Sequence, residues 1–450
     1  MCSDVFEGVP LRGHRSSWAC LLALGLALVN VDGHAQQALS LDSALQLAEG
    51  RSLQLIAQGA AATASRDMAV AAGQLPDPTL KLGVNNLPIN GEDRFSLTRD
   101  FMTMRSVGVM QELTRSDKLK ARSARFSREA EAADASRAVA LASLRRDTAM
   151  AWLDRYHQER MLELLRAQRA EAGLQIDAAE AAYRGARGSQ ADVFAARAMV
   201  AQIDDRVRQA ERQVGTAKVK LARWVGDDAS QALDTPPSLD AVPLDLLGLE
   251  SQLAHHPQIA LAGKQEEVAR AEVDAAQSNQ RADWSVELMV SQRGPAYSNM
   301  VSVNVSVPLQ WDPKNRQDRE LSAKRAVAEQ MRAQREEATR EQVADARMGL
   351  QAWQSNRERL AHHDSALIPL ALERTRAAMA AYRGGSGPLT AVLEARRMET
   401  DTRMDRLRLA METAALWAQL AYLMPAEHPM ATEVRQPSRP ATTTTAATEK

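Results

Sequence analysis

The chain has 450 residues, a formal net charge of −1, 45% hydrophobic and 25% charged residues, and only 4% aromatics. These values exclude wholesale disorder and give electrostatics no case for nucleic acid. The bias to Ala, Leu, Arg, Glu and Gln favours long helices, and two cysteines exclude a Cys-based zinc cluster or a disulfide scaffold.

Residues 1–35 read as a secretory signal peptide. Arg12 and Arg15 precede a short apolar core, Leu21–Val29, and Gly33-His34-Ala35 offers small residues at the −3 and −1 positions of a cleavage site. That core is too short for a helix spanning ~30 Å of hydrocarbon. A lipid-modified Cys would follow the apolar core, whereas Cys20 precedes it. Cleavage would remove both cysteines, which suits export, and leave equal numbers of basic and acidic residues. Beyond the signal no run of 18 apolar residues occurs, which excludes a helical membrane protein but leaves a β-barrel open, because alternating strands escape hydropathy windows.

The chain repeats itself. Residues 182–199, from Ala182-Tyr183-Arg184-Gly185 to Met199, and 381–398, from Ala381-Tyr382-Arg383-Gly384 to Met398, match at an offset of 199, with nine of eighteen positions identical. Leu47–Val84 lies over Leu253–Val290, and Ser106–Val109 over Ser302–Val305. These matches divide the chain into a first repeat, 36–228 (strands about 78–113, tip about 184–189), and a second, 249–425 (strands about 284–309, tip about 383–388). A connector, 229–248, contains Pro236, Pro237 and Pro243, and a Pro/Thr/Ala-rich tail, 426–450, reads as disordered.

Each half is expected to run helix, two strands, very long helix, glycine-containing break, helix. Leu80, Leu82 and Val84 alternate with polar or small residues, and a less regular strand follows near Thr103–Leu113. Val286, Leu288 and Val290, then Val301, Val303, Val305 and Val307, alternate more cleanly. Period two gives one apolar and one polar face. Either a protein layer covers the apolar face, or lipid does, for which ~9–11 residues per strand suffice. Four strands cannot close a usable barrel, and lipid tolerates no open edge, so the lipid reading demands several chains.

Heptad spacing marks the helices. Val193, Ala196, Val200, Ile203, Val207, Ala210, Val214, Ala217, Leu221 and Trp224 follow a 3, 4 pattern. Leu162, Leu165, Arg169, Ala172, Ile176, Ala179 and Tyr183 keep it, as do Met404, Leu407, Met411, Ala414, Ala418 and Ala421. A helix from about Lys118 to Tyr183 would be roughly 100 Å long. A signal peptide and repeated strands argue against a cytosolic coiled-coil scaffold. At the breaks, Gly185, Gly188, Gly384, Gly385 and Gly387 permit the positive φ that ends a helix, and Pro388 suits the first turn of the next. No phosphate-binding glycine pattern is present.

Signal, two halves, paired strands, long seams and the repeated Tyr-x-x-Gly break resemble the outer membrane efflux protein (TolC-like) family. The most specific match is Tyr183–Ala196 and Tyr382–Ala395. The resemblance implies a mainly α fold with a membrane β-barrel: a homotrimer, a twelve-stranded outer-membrane barrel to which each chain gives four strands, and a periplasmic α-barrel. It implies partners: outer-membrane lipid, a periplasmic adaptor and an inner-membrane pump of the resistance-nodulation-division type. It places a closed entrance at the tips, with Tyr382 as the aromatic, Glu394 as an inner acidic ring and Asp192 as an acidic partner of the tyrosine. The family's outer acidic position falls on Ala391 and its basic latch on Gly387. Arg383 or Arg187 would have to substitute for the latch. Three converging Glu394 carboxylates would attract cations; alternatively, Glu394 and Asp192 are solvated helix positions.

Asn86-Leu87-Pro88, Phe101-Met102-Thr103-Met104, Gln111-Glu112-Leu113 and Lys118-Leu119 resemble the branch paired with heavy-metal efflux pumps. Met102 and Met104 would share a strand face and invite a soft-metal reading, with barrel packing as the alternative. His255-His256 and His362-His363 read as surface pairs. The leading expectation is a passive exit duct for heavy-metal cations. The alternatives are a duct for drugs or type I protein secretion and a pore-less periplasmic coiled-coil adaptor. No nucleophile–base constellation, resident metal site or cofactor fingerprint is present, and no cofactor is expected.

Overall fold

The computed structural model describes residues 38–244 and 248–424. The segments read as signal peptide and disordered tail lie outside the described residues. Nine α-helices occur among them: α1 Leu41–Arg51, α2 Leu53–Ala72, α3 Ser116–Arg184, α4 Gln190–Val225, α5 Leu249–Leu253, α6 Pro257–Ser278, α7 Gln317–His362, α8 Ile368–Arg383 and α9 Leu389–Ala421. The strands are β1 Thr79–Asn85, β2 Met104–Leu113, β3 Trp284–Gln292 and β4 Met300–Ser306.

Two helices, rather than one, precede each pair of strands. Ser52 ends α1 and caps α2, its hydroxyl accepting from Leu55 N–H at 3.3 Å. The second break falls at His256-Pro257, where His256 is buried and its Nδ1 accepts from Gln258 N–H at 3.3 Å. That corrects its reading as a surface residue: Pro257 sets the first turn, and the imidazole satisfies a donor that the helix start leaves open.

α3 runs unbroken for 69 residues, about 100 Å at the α-helical rise. Its counterpart in the second half is interrupted by a π-helical turn, His363–Leu367, followed by Pro369 in the first turn of α8. Arg406 of α9 grips Asp364 in this turn with two bonds of 3.0 Å.

The α4 seam packs as its spacing predicts, from Val193 to Leu221, but ends on buried Val225 rather than half-buried Trp224. On α3 the polar seam member is Gln168, which is buried and accepts from the Thr400 hydroxyl at 3.1 Å. Arg169 points outward to Asp204. A straight helix drifts against a strict heptad, so over several turns the buried stripe shifts by one residue.

The largest core joins α1, α3, α4, α7 and α9 around Trp152, Leu221, Leu350, Trp353 and Trp417. It also anchors the connector and the segment that leads into α1. The Trp152 indole donates to Leu39 O at 3.0 Å and the Trp417 indole to Ala241 O at 2.9 Å. Arg155, 2% exposed, donates to Ala229 O at 2.7 Å and Gln231 O at 2.6 Å, and pairs with Glu159 at 2.9 Å. Buried donors need such acceptors, so these side chains fix the path of the crossing chain.

The four strands form one antiparallel sheet in the order β1-β2-β3-β4. The central pairing sets Val107 against Val290 and Val109 against Leu288. Gly108 is required there, because a Cβ would lie 2.9 Å from Leu288 O. Where sheet meets helices, buried Lys118 at the start of α3 pairs with Asp283 at 2.6 Å. No described helix is long and apolar enough to cross a membrane.

Candidate functional site

The sheet separates its residues as period two demands. One face carries Leu80, Leu82, Val84, Val107, Val109, Leu288, Val290, Val301, Val303 and Val305, all exposed, from 48% for Val109 to 70% for Leu82. Among the described residues no layer covers this face, and β1 and β4 are open edges. Trp284 and Trp311 are exposed at the helix end, and Phe95, Phe101 and Tyr297 at the loop end. The opposite face carries Lys81, Asn85, Ser106, Glu287, Ser302 and Asn304, and four thioethers, Met104, Met110, Met289 and Met300. Lys81 reaches across β2, over Gly108, to Glu287 at 3.0 Å. Met102 precedes β2, so it does not share a strand face with Met104.

The hairpin tips are built alike. At the first, Gly185 N–H donates to Ala181 O (3.0 Å), Ala186 to Tyr183 O (3.0 Å) and Arg187 to Ala182 O (2.8 Å). At the second, Gly384 donates to Ala380 O (2.9 Å), Gly385 to Tyr382 O (3.1 Å) and Ser386 to Ala381 O (2.9 Å). Each bond recurs 199 residues later.

The glycines serve two purposes, not one. Only Gly385 among the five has a positive φ, +71°, and its counterpart is Ala186 at +55°. Gly188 and Gly387 are needed for close approach: a Cβ on either would meet the Ala182 or Ala381 methyl at 3.1 Å. Gly185 and Gly384 take ordinary negative φ. Pro388 is the N-cap residue of α9, one position before the first turn, in extended conformation.

Asp192 is committed to its own helix. Its carboxylate accepts from Ser189 N–H at 2.9 Å and from the Ser189 hydroxyl at 2.7 Å, closing a capping box with Ser189. The Ser189 backbone and hydroxyl donors hold its pKa below the usual carboxylate value. Among the described residues no hydrogen bond joins Asp192 to Tyr382. The Tyr382 ring is half-buried against a cluster in which Ala179, Val193 and Ala196 of one hairpin meet Leu389, Val392 and Leu393 of the other. The two tips therefore pack directly on each other. Glu394 is exposed, 3.9 Å from Arg374. Arg187 and Arg383 are exposed at the tip ends, with Arg184 alongside, and none forms an ion pair among the described residues.

Sequence reasoning missed a polar layer between α3 and α9. Glu399, 2% exposed, pairs with Arg403 at 2.9 Å, and Arg396 reaches Glu171 at 2.6 Å beside the Gln168–Thr400 bond. The adjacent polar pair Glu399-Thr400 was its only signal. Further along, His157 is buried between Tyr156 and the Arg406 side, with neither ring nitrogen hydrogen-bonded. Desolvation, reinforced by Arg406, lowers its pKa to about 4. Among the described residues no group of His, Cys, Asp or Glu is arranged to hold a metal ion.

No family model matches the chain, and neither does any curated protein. Solved structures do. CusC superposes with a TM-score of 0.72 at 15% identity, over 85% of this chain and 92% of that one. The outer membrane protein VceC of Vibrio cholerae gives 0.71 at 18% identity, over 85% and 95%. The outer-membrane channel OprN gives 0.71 at 16% identity, over 85% and 89%. The chain has the fold of the TolC-like outer-membrane channels. Identities this low leave the TolC-like resemblance resting on architecture: a four-stranded sheet exposed on its apolar face, mounted on long paired helices.

Proposed function

We propose that the chain is a member of the TolC-like efflux protein family and the exit duct of a tripartite efflux system. It would stand in the outer membrane of a Gram-negative cell and reach into the periplasm. The observation that carries this is the sheet, with an exposed apolar face, a polar opposite face and two open edges. Backbone groups at such edges must be paired in lipid. β1 of one copy against β4 of the next pairs them, and three copies give a closed barrel of twelve strands with the polar face inward. Trp284 and Trp311 at one end and Tyr297 at the other suit the two interfaces. A pore-less adaptor would leave the apolar face without a role.

In this reading 36–228 and 249–425 are repeats of one plan, which the twice-built tip supports. The tips form the entrance, with Tyr382 packing it, Asp192 capping its helix, Glu394 set for an inner acidic ring, and Arg187 and Arg383 as end cations. Conduction is passive; a pump reached through an adaptor supplies the energy. The cargo we favour is heavy-metal cations. Support comes from the motif resemblance and from Met104, Met110, Met289 and Met300 on the inward face, since thioethers suit soft ions.

The test is the state of the protein in cells. Purified from outer-membrane fractions in detergent, it should have the mass of a trimer that dissociates on heating. A deletion strain should lose tolerance to soft-metal salts before tolerance to drugs. A protein recovered from the soluble periplasm as monomer or dimer would overturn the duct, and loss of drug tolerance alone would overturn the cargo.

A further inference from the structure

One cation stands on the apolar face of the sheet. Arg105 pairs in register with Val84 and Gln292, two positions from Val107, so it shares the face of the exposed valines. It is the only charged residue among that face's strand positions. It lies one row before the β1–β2 loop, at the end of the sheet away from the helices. Its Nε is buried without a hydrogen-bond partner, and no carboxylate pairs with it among the described residues.

Among the described residues, the carboxylates of the neighbouring loop engage other groups rather than Arg105. Asp100 is occupied in accepting from Met102 N–H at 2.8 Å and Thr103 N–H at 3.1 Å. Asp93 faces Arg99 at 3.4 Å, and Glu92 is exposed. Arg293, just past β3, turns to the loops instead, donating to Ser298 O at 3.0 Å and Phe101 O at 3.2 Å and lying over the Tyr297 ring. The Arg105 guanidinium thus keeps its charge unpaired at the rim of an apolar surface. A long cationic side chain at that depth extends to the headgroup layer, where its charge costs least. β2 and β3 are the inner strands, so a second copy pairing at β1 or β4 leaves this surface open.

We propose that Arg105 forms a binding site for the phosphate of an anionic lipid headgroup in the leaflet at the loop end. The guanidinium fork matches phosphate oxygens and is weakly hydrated, which suits a half-buried partner. The inference rests on the membrane reading above.

The full chain, reconstituted in bilayer nanodiscs, tests it by native mass spectrometry of the lipid retained. Phosphatidylglycerol should be held in preference to phosphatidylcholine of the same acyl chains. Arg105→Gln should weaken that preference roughly tenfold, the loss of one charge-assisted contact, and Arg105→Lys should keep part of it. An equal preference in wild type and Arg105→Gln would overturn the site. Displacement of the lipid by inorganic phosphate alone would assign a soluble-anion site and overturn the lipid. Failure of the wild type to enter bilayers at all would instead overturn the membrane reading.

Discussion

Ala186 and Gly385 hold the same left-handed backbone position, at φ +55° and +71°, in two hairpin tips that share three backbone hydrogen bonds at an offset of 199 residues. Glycine takes this conformation without steric cost, whereas alanine is strained there. Ala186→Gly should therefore stabilise the first tip by about 1 kcal/mol, seen as slower hydrogen exchange at Arg187 N–H, and Gly385→Ala should loosen the second by a similar amount. Equal exchange in the variant and the parent would show that the Ala186 strain is relieved elsewhere.

Tyr382 contributes through its ring. Tyr382→Phe should leave thermal stability nearly unchanged. Tyr382→Ala should cost about 2–3 kcal/mol by opening the cluster of Ala179, Val193 and Leu393, scaled down from a fully buried aromatic because the ring is half-exposed. Conductance should follow the same order, with the Ala variant the more open. A large effect of Tyr382→Phe would point instead to a hydroxyl contact across subunits.

His157 makes stability depend on pH. Its folded value is lowered to about 4 from an ordinary 6.5, mainly by burial, so the folded state binds the proton less readily than the unfolded chain. The stability tied to neutral His157 is fully present above pH 6.5. It falls away as pH drops through 6.5 toward 4, by at most about 3 kcal/mol. His157→Leu should flatten urea-denaturation midpoints across that window. A slope unchanged in the variant would transfer the dependence to other groups.

Arg155 binds the connector through two backbone carbonyls. Arg155→Met would leave Ala229 O and Gln231 O without their donors and should cost about 3 kcal/mol, with proteolysis rising first in the connector around residues 229–244. Gly108→Val should act elsewhere, blocking the β2–β3 pairing and abolishing a heat-modifiable oligomer while the helical signal persists.

The strands and seams were legible because period two and the 3, 4 spacing record which side of an element avoids water. That record holds whether the apolar face meets protein or lipid, so Leu80–Val84 and Val193–Leu221 could be placed from sequence. Arg155, His256 and Glu399 could not. Each is a polar residue buried by partners distant in the chain, and their local sequence looks like that of any solvated helix. The glycines misled in one respect. Gly188 and Gly387 answer to an alanine methyl six residues back rather than to φ, and composition alone cannot tell those needs apart. Asp192 was legible as acidic at the tip, but its capping role depended on Ser189 three residues earlier, a pattern read only once the helix start was fixed.

The most direct test of the duct is the ionic current through the detergent-purified, full-length protein in a planar bilayer, with the reversal potential measured in a salt gradient. Discrete steps of small conductance with a cation preference, reduced in Glu394→Gln, are the result this account predicts. A protein that inserts no conducting unit and stays a monomer or dimer would contradict it, because the exposed valines of the sheet would then have to face another protein.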